Sequence, residues 1–541
     1  MAHELAGKPV RKEDLIDVAA LLDAYENVAP DPNDPGQRVS FGTSGHRGVA
    51  TKGTFNDLHV ACITQAVCDL RASFGAIGPC FVGQDTHALS QSALVTVLEV
   101  LAGNGVVAAV DAEMGFVPTP SVSRAIIRYN EEHTKKADGL IITPSHNPPN
   151  NGGIKYNPIN GGPADTSVTK RIEEKANEYL AQYGEGVRRI SIDNIEPEAQ
   201  MAYDYKGLYV EELADLINME ALQDAKLHVL VNGLGGSGAH YWEAIRDRYN
   251  LDLTVINKDY DPQFSFMTYD HDGVVRMDCS SAYAMADVIK GIGDYDLAVG
   301  NDPDYDRYGV VTKDGLLNAN HFLVTAASYL FNTRGWRGSK GVGKTAVVTG
   351  LVDAWAKDQG IPVYEVPVGF KYFAPLLFNG TIGIGGEESA GGSFLKKDGS
   401  VWTTDKDGIA MALLAMEMMA VTGESPAALY KELTDKYGTP VFGRIDAPAT
   451  KEQKAKLKQL SPSAVPSKTL AGDEIRELRT TSLHENQPID GLKVVTDSGW
   501  LVARPSGTED LYKIYGESLR GPEGLEELLQ EGEKLVSSAL N

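Results

Sequence analysis

One pattern recurs three times along this chain and limits its fold more than any other feature. An apolar strand is followed by a short loop, a helix, a glycine and a second apolar strand. The first copy runs from Cys80-Phe81-Val82 through a predicted helix over 90–102 to an apolar run over 105–110. The second runs from 227–231 through 239–248 to 251–256, and the third from Ala346-Val347-Val348 through 351–358 to 360–366. Strands alternating with helices imply parallel sheets covered by helices. Copies more than a hundred residues apart imply separate related domains rather than a solenoid, whose periods are shorter. From about residue 438 the texture changes. A charged helical stretch over 451–460, strands over 492–496, 500–504 and 511–515, and a terminal helix near 524–540 predict a smaller α+β unit. A helix over 15–25 and a Pro/Asp/Gly linker over 30–37 precede the first copy.

The expected architecture is therefore three related α/β domains with mixed sheets flanked by helices, plus a smaller α+β C-terminal domain. The boundaries fall at 1–205, 206–322, 323–438 and 439–541, in keeping with roughly 150 residues per domain. A net charge of −24 argues against nucleic acid or an anionic membrane as partner. An anionic small ligand then needs cations concentrated at one place. Cys62, Cys68, Cys80 and Cys279 lack metal-ligand spacing and fit buried thiols of a reduced compartment. The start Met1–Lys8 lacks the apolar run of a signal peptide, and the longest apolar stretches are broken by Glu99 and Glu417. The expectation is a soluble, cytoplasmic protein.

Chemistry concentrates in a few loops. Leu140-Ile141-Ile142 reads as a buried strand delivering Thr143-Pro144-Ser145-His146-Asn147-Pro148-Pro149-Asn150 to its carboxyl end, where open α/β sheets place their sites. Taken alone, this is a Pro/Asn turn with a solvent-facing hydroxyl. Its company overturns that reading. Leu297-Ala298-Val299 leads into Gly300-Asn301-Asp302-Pro303-Asp304-Tyr305-Asp306-Arg307, whose alternate carboxylates suit a hard divalent cation. An EF-hand is excluded, because Arg307 stands where the sixth position needs glycine and Lys313 where the twelfth needs glutamate. Arg307 beside three carboxylates suggests that a second anion is handled there. Phe41-Gly42-Thr43-Ser44-Gly45-His46-Arg47-Gly48 can aim backbone N–H groups and a guanidinium at a phosphate. Gly233-Leu234-Gly235-Gly236-Ser237-Gly238 matches the dinucleotide-binding pattern. Its plainer reading is the strand-to-helix turn of the second domain.

Thr143–Asn147 together with Asp302–Arg307 resembles the α-D-phosphohexomutase family, and its bacterial-type phosphoglucomutase branch above all. Gly386-Glu387-Glu388-Ser389-Ala390-Gly391 resembles the family's sugar-binding loop, and Arg504-Pro505-Ser506-Gly507-Thr508-Glu509 its phosphate-binding loop. Phe41–Gly48 and Asn151–Asn157 resemble two further stations. The match spans about residues 40–520, with the motifs in the family's order. The resemblance implies four domains around a central cleft.

It also implies roles. Ser145 carries a phosphoryl group, with Lys155 and Arg47 as further catalytic residues, Lys155 with a depressed pKa for acid–base work. Asp302, Asp304 and Asp306 hold one Mg²⁺ together with an oxygen at phospho-Ser145. Arg47, His146, Asp306, Arg307, Lys371, Glu387, Ser389, Lys406, Arg504, Ser506, Gly507 and Thr508 contact the sugar phosphate, with Lys513 adding charge. His146 adjoins Ser145, but neighbours on an extended loop diverge, so it is expected to support the loop rather than act as base. Lys397 offers the same local pattern as Lys406, and Val368 stands where some relatives carry threonine. The implied reaction interconverts glucose 1-phosphate and glucose 6-phosphate through a phosphoserine and glucose 1,6-bisphosphate, in a monomer or homodimer. The runner-up substrates are mannose and glucosamine phosphates, although Glu387-Glu388-Ser389 and Asp278–Ser281 lean towards glucose. From other classes, a catalytically silent sugar-phosphate binder and a nicotinamide oxidoreductase also stand as readings.

Overall fold

The computed structural model describes residues 3–42, 45–462, 465, 467–505 and 511–540. It divides into two compact units. One comprises Met1–Leu317 and Ala390–Ser425, the other Asn318–Ser389 and Pro426–Asn541.

The first unit contains two sheets. In the first, the strands run in the order His46–Val49, Asn151–Asn157, Asp138–Ile142, Cys80–Gln84, Ala108–Asp111 and Gln200–Tyr203. The last four are parallel and the first two pair antiparallel. Helices Asp57–Leu70, Ser90–Gly103 and Thr166–Leu180 bury their apolar faces in one core, and Thr119–Glu132 contributes to another with Phe81 and Ile141. Each fully buried Leu, Ile or Val contributes about 1.5–3 kcal/mol, which outweighs weak local propensity. Strand Asn151–Asn157 shows this: Gly152 and Gly153 cost about 0.5–1 kcal/mol each in a strand, yet Ile154 and Tyr156 are both buried. The glycines also have a steric reason, since a Cβ at Gly153 would press on the Thr143 carbonyl and one at Gly152 on the Phe55 ring.

The second sheet runs Gly315–Leu317, Tyr308–Thr312, Leu297–Asn301, Val229–Asn232 and Leu253–Ile256. Its last three strands are parallel. Helix Gly408–Thr422, apolar on every side, packs on Leu297–Asn301 and Tyr308–Thr312 although it arrives about ninety residues later in the chain.

In the second unit, Val363–Val366, Gly341–Thr345 and Ile382–Gly386 lie side by side, all parallel. The first strand of the third repeat copy is therefore Gly341–Thr345, not Ala346–Val348 as the apolar run suggested. Gly341, Gly343 and Lys344 disguise it. Gly343 is required because the Phe373 ring and Ile382 lie over it, and Lys344 buries its stem while its ammonium reaches Asp353 and the Thr349 carbonyl. The C-terminal sheet is antiparallel, ordered Val441–Pro448, Leu511–Ser518, Gly499–Pro505, Pro488–Thr496, Asp473–Thr481 and Thr469–Leu470. Helices Lys451–Lys458 and Gly521–Leu540 cover it. Among the described residues no single helix is long and apolar enough to cross a membrane.

Candidate active site

In the first unit, two strand ends bring the serine and the carboxylates together. Ser145 follows strand Asp138–Ile142 and Asp302 follows Leu297–Asn301. Ser145 Oγ donates to Asp302 Oδ2 at 2.9 Å, although 157 positions separate them. Both loops turn through a left-handed residue, Ser145 at φ +60° and Tyr305 at φ +62°. Such backbone costs on the order of 1–3 kcal/mol and persists only where its surroundings enforce it. The left-handed turn also explains a difference from expectation at His146. The loop is not extended at Ser145, so the His146 ring does not diverge, and its Nδ1 lies 3.5 Å from Ser145 Oγ. Burial, with Arg307 next, pushes the His146 pKa well below its ordinary value. Its carbonyl accepts from Met277 N at 3.3 Å.

Asp302, Asp304 and Asp306 are buried, with one oxygen from each within 4.8 Å of the others. Asp304 Oδ1 and Asp306 Oδ1 have no hydrogen-bond partner among the described residues. Burial, followed by the other two carboxylates, raises the Asp302 pKa well above the usual range. Packed like charges with open oxygens fit a divalent cation, which prefers such hard ligands.

The cations required by an acidic chain binding an anion are concentrated here. Lys155 Nζ donates to Asp304 Oδ2 at 2.6 Å and Asp306 Oδ2 at 3.1 Å. Lys406 Nζ lies 2.9 Å from Asp306 Oδ2. Lys397 instead bonds the carbonyl of Ile217 at 3.3 Å, which separates the two lysines that shared a sequence pattern. Arg307 N donates to Asp302 Oδ1 at 3.0 Å, and its guanidinium lies 3.9 Å from Asp278 and from Asp306. Arg47, on a strand paired with Asn151–Asn157, donates to Asn147 Oδ1 at 3.2 Å. Burial and then Arg307 lower the Arg47 pKa, as expected where two guanidiniums share a site for an anion. Lys155 departs from its expected electrostatics. Burial lowers its pKa, but Asp304 and Asp306 outweigh burial and raise it, so the side chain is a firmly held ammonium. Asp306 is correspondingly held low: burial raises its pKa, and Lys155, Lys406 and Arg307 prevail.

The glycine-rich turn Gly233–Gly238 proves to be packing for the acidic loop. A Cβ at Gly236 would lie 2.7 Å from Pro303 Cα, and Gly238 faces the Tyr305 ring. Ser237 Oγ donates to the Pro303 carbonyl at 2.8 Å. The turn receives protein where a dinucleotide would need room.

The remaining expected residues sit in the second unit. Glu387 is buried just beyond strand Ile382–Gly386, and Ser389 is half-buried. Glu388 Oε2 accepts from Thr345 Oγ1 at 3.4 Å. Lys371 lies in the turn Phe370–Tyr372, entered through Gly369 at φ +133°. Arg504 is half-buried on strand Gly499–Pro505, opposite Lys513. The Tyr515 hydroxyl feels the charges of Glu388 and Arg504. Burial and then Glu388 push its pKa up to about 12, with Arg504 acting the other way. Val368 packs against the cluster of Val347, Trp500, Val502 and Tyr515, so an apolar side chain suits its place. Ser506, Gly507 and Thr508 lie outside the described residues.

Three supports escaped sequence reasoning. Thr119, at a helix start, donates through Oγ1 to Asp304 Oδ2 at 2.9 Å and through its backbone N–H to the Asp304 carbonyl at 2.9 Å. Asp85 and His87 brace the serine loop. Asp85 follows the strand next to the serine strand, and that adjacency was the one signal available.

Comparison with known proteins gives four family matches in order along the chain. Models described as phosphoglucomutase/phosphomannomutase, alpha/beta/alpha domains I, II and III match residues 38–182, 208–315 and 318–437, and the model of the C-terminal domain matches 451–532. A phosphoglucomutase of Komagataeibacter xylinus is 48% identical over 537 residues, covering 98% of this chain and 97% of that one. Human phosphoglucomutase-1 is 26% identical over 467 residues, covering 79% of this chain and 80% of that one. The crystal structure of a putative phosphomannomutase from Thermus thermophilus superposes with a TM-score of 0.72 at 26% identity, covering 92% of this chain and 99% of that one. Near-complete coverage at this identity, four domain matches in order and a serine bonded to an acidic triad lead to one assignment: the chain belongs to the phosphoglucomutase/phosphomannomutase family, the α-D-phosphohexomutases.

Proposed function

We propose that this phosphohexomutase, an intramolecular phosphotransferase, interconverts glucose 1-phosphate and glucose 6-phosphate through a phosphoserine at Ser145. The observation that carries the reading is the 2.9 Å bond from Ser145 Oγ to Asp302 in a loop whose backbone is forced at the serine. The K. xylinus relative carries the same activity in its name. Ser145 as phosphoryl carrier passes its group to O6 of glucose 1-phosphate: the P–O bond to serine breaks, the P–O bond to the sugar forms, and glucose 1,6-bisphosphate results. After the bisphosphate turns over, the phosphoryl on O1 returns to Ser145. We assign Asp302, Asp304 and Asp306 as ligands of one Mg²⁺, which when bound supplies neutralisation of the charge that develops on the transferring group.

The chain's own groups do the rest. Arg47 and Arg307 bind the phosphoryl oxygens, and His146 and Lys406 line the same place. Lys155 is the residue we assign to the proton exchange: its ammonium gives a proton to the departing serine oxygen, and the amine so formed takes the proton that leaves the attacking hydroxyl. Glu387 and Ser389 pair with sugar hydroxyls. Lys371, with Arg504, Ser506, Gly507 and Thr508, grips the phosphate that is not being transferred. The four domains are taken as 1–205, 206–322, 323–438 and 439–541. A coupled assay of glucose, mannose and glucosamine 1-phosphates with Mg²⁺ and trace glucose 1,6-bisphosphate tests the reading. Preference for glucose 1-phosphate supports it, and preference for mannose 1-phosphate, the sugar in the name of the Thermus relative, replaces it.

A further inference from the structure

Ser145 sits at the apex of a loop gripped on both shoulders by a buried pair with no place in the chemistry above. Strand Cys80–Gln84 runs parallel to Asp138–Ile142 with Gln84 opposite Ile142, so the two chains leave the sheet side by side. Asp85 N donates to the Ile142 carbonyl at 2.9 Å. Asp85 Oδ2 accepts from Thr143 Oγ1 at 2.6 Å, and that same hydroxyl oxygen accepts from Ser145 N at 2.7 Å. Asp85 Oδ1 accepts from Ser90 Oγ at 2.6 Å and from His87 N at 3.0 Å. His87 spans the remaining distance. Its Nδ1 meets Asp85 Oδ2 at 2.8 Å and its Nε2 meets the Asn147 carbonyl at 3.0 Å. Asn147 in turn accepts from Arg47. Asp85 and His87 are each 1% exposed, and the ring packs beside Phe264 at 5.2 Å between centroids.

We infer that Asp85 and His87 are positioning residues for phosphoryl transfer: by holding Thr143 and Asn147 they keep Ser145 in its left-handed backbone, with Oγ aimed at Asp302. The arrangement accounts for how a serine stays in a conformation it disfavours. The bonds are short, buried and joined in one network, where polar contacts are strongest. A group that acts only by holding geometry changes turnover more than binding, because misplacement of about 1 Å costs roughly 10²-fold in rate. The inference rests on Ser145 as the phosphoryl carrier, and the experiment separates the two.

Thr143→Val removes one hydroxyl at constant shape and breaks the link between Asp85 and Ser145 N. The expected result with the full chain is a kcat for glucose 1-phosphate lower by roughly 10²-fold, as for a misplaced reacting group. KM should stay within about threefold, the thermal midpoint should fall by only a few degrees with cooperative melting retained, and Thr143→Ser should recover most of the rate. His87→Gln, which can keep one bond but not both, should fall between. Single-turnover transfer from ³²P-labelled phosphoenzyme to glucose 1-phosphate reads the same step in whatever fraction is folded. Ser145→Ala is the control: turnover in that variant overturns the phosphoserine itself. If Ser145→Ala is inactive while Thr143→Val keeps full kcat and a full single-turnover rate, positioning alone is overturned. A loss in Thr143→Val that follows the melting curve and that Thr143→Ser does not relieve also overturns it.

Discussion

At the scale of single residues, the acidic loop shows how one carboxylate serves two partners. Asp302 accepts from Ser145 Oγ through Oδ2 and from Arg307 N through Oδ1, whereas Asp304 and Asp306 each keep one oxygen without a hydrogen-bond partner among the described residues. Asp304→Asn, which keeps the shape and removes the charge, should therefore raise the Mg²⁺ concentration needed for half-maximal activity by at least roughly 10- to 100-fold, the cost already seen on losing a group behind a metal's ligands. Activity titrated with Mg²⁺ after chelator treatment measures it, and a curve that does not move removes the cation from this loop. A second residue-scale expectation concerns pH. Burial, then His59, lowers the His46 pKa to about 3 from 6.5. Between those values the unfolded chain binds the proton and the folded chain does not. The ring's contribution is thus fully present above about pH 6.5 and is lost as pH falls towards 3, with a slope near 1.4 kcal/mol per pH unit. Urea midpoints between pH 7 and 4.5 should fall, and His46→Leu should flatten the decline. An unchanged slope in that variant assigns the acid sensitivity elsewhere.

Elements explain both what was legible and what was not. The serine loop and the acidic loop could be read from sequence because each follows an apolar run, Leu140-Ile141-Ile142 or Leu297-Ala298-Val299, that lies in a strand. Gly341–Thr345 could not, because Gly341 answers to Tyr364 and Gly343 to Phe373 and Ile382, residues far away in sequence. The same holds for Gly233–Gly238, whose pattern suggests a nucleotide and whose cause is the Tyr305 ring. Lys155 was found by family motif, but its charge state depends on Asp304 and Asp306, about 150 positions away. Lys406 and Lys397 were indistinguishable locally and differ only in what each loop is packed against. Helix Gly408–Thr422 gives the sharpest test at this scale. Asp407 caps it through Ala410 N at 2.9 Å, and its first residue, Gly408, donates to the Tyr305 carbonyl at 2.9 Å. A Cβ at Gly408 would collide with the backbone of Arg307. Backbone cannot rotate aside, so Gly408→Ala should shift the acidic loop and reduce kcat by roughly 10²-fold with folding retained. A fully active variant means that the loop does not need the helix start.

The whole chain passes between its two units at three places, after Leu317, after Ser389 and after Ser425. The first unit is therefore not an N-terminal fragment. It is completed by residues 390–425, which bring Lys406 to Asp306 and add a helix that is buried from Gly408 to Met418. That helix carries Glu417, whose Oε2 accepts from Asn218 N at 2.7 Å, and it packs on Met219–Ala225 as well as on the strands bearing the acidic loop. A chain ending at Leu317 would expose the apolar surfaces this helix covers, at about 25 cal/mol for each Å² of apolar area, and would leave Asn218 N without its acceptor. Exposed apolar area of that kind leads to association. Expressed alone, residues 1–317 should aggregate or melt without a cooperative transition. The same residues joined to 390–425 through a Gly/Ser linker of about 15 residues, long enough to act as a flexible coil, should be soluble and melt cooperatively. On the roles we propose for Glu387, Ser389 and Arg504, which belong to the other unit, the joined fragment should lack mutase turnover. Differential scanning calorimetry of the two fragments decides it. A sharp transition in 1–317 at the midpoint of the joined fragment would mean that the late helix is an addition to a core already complete without it.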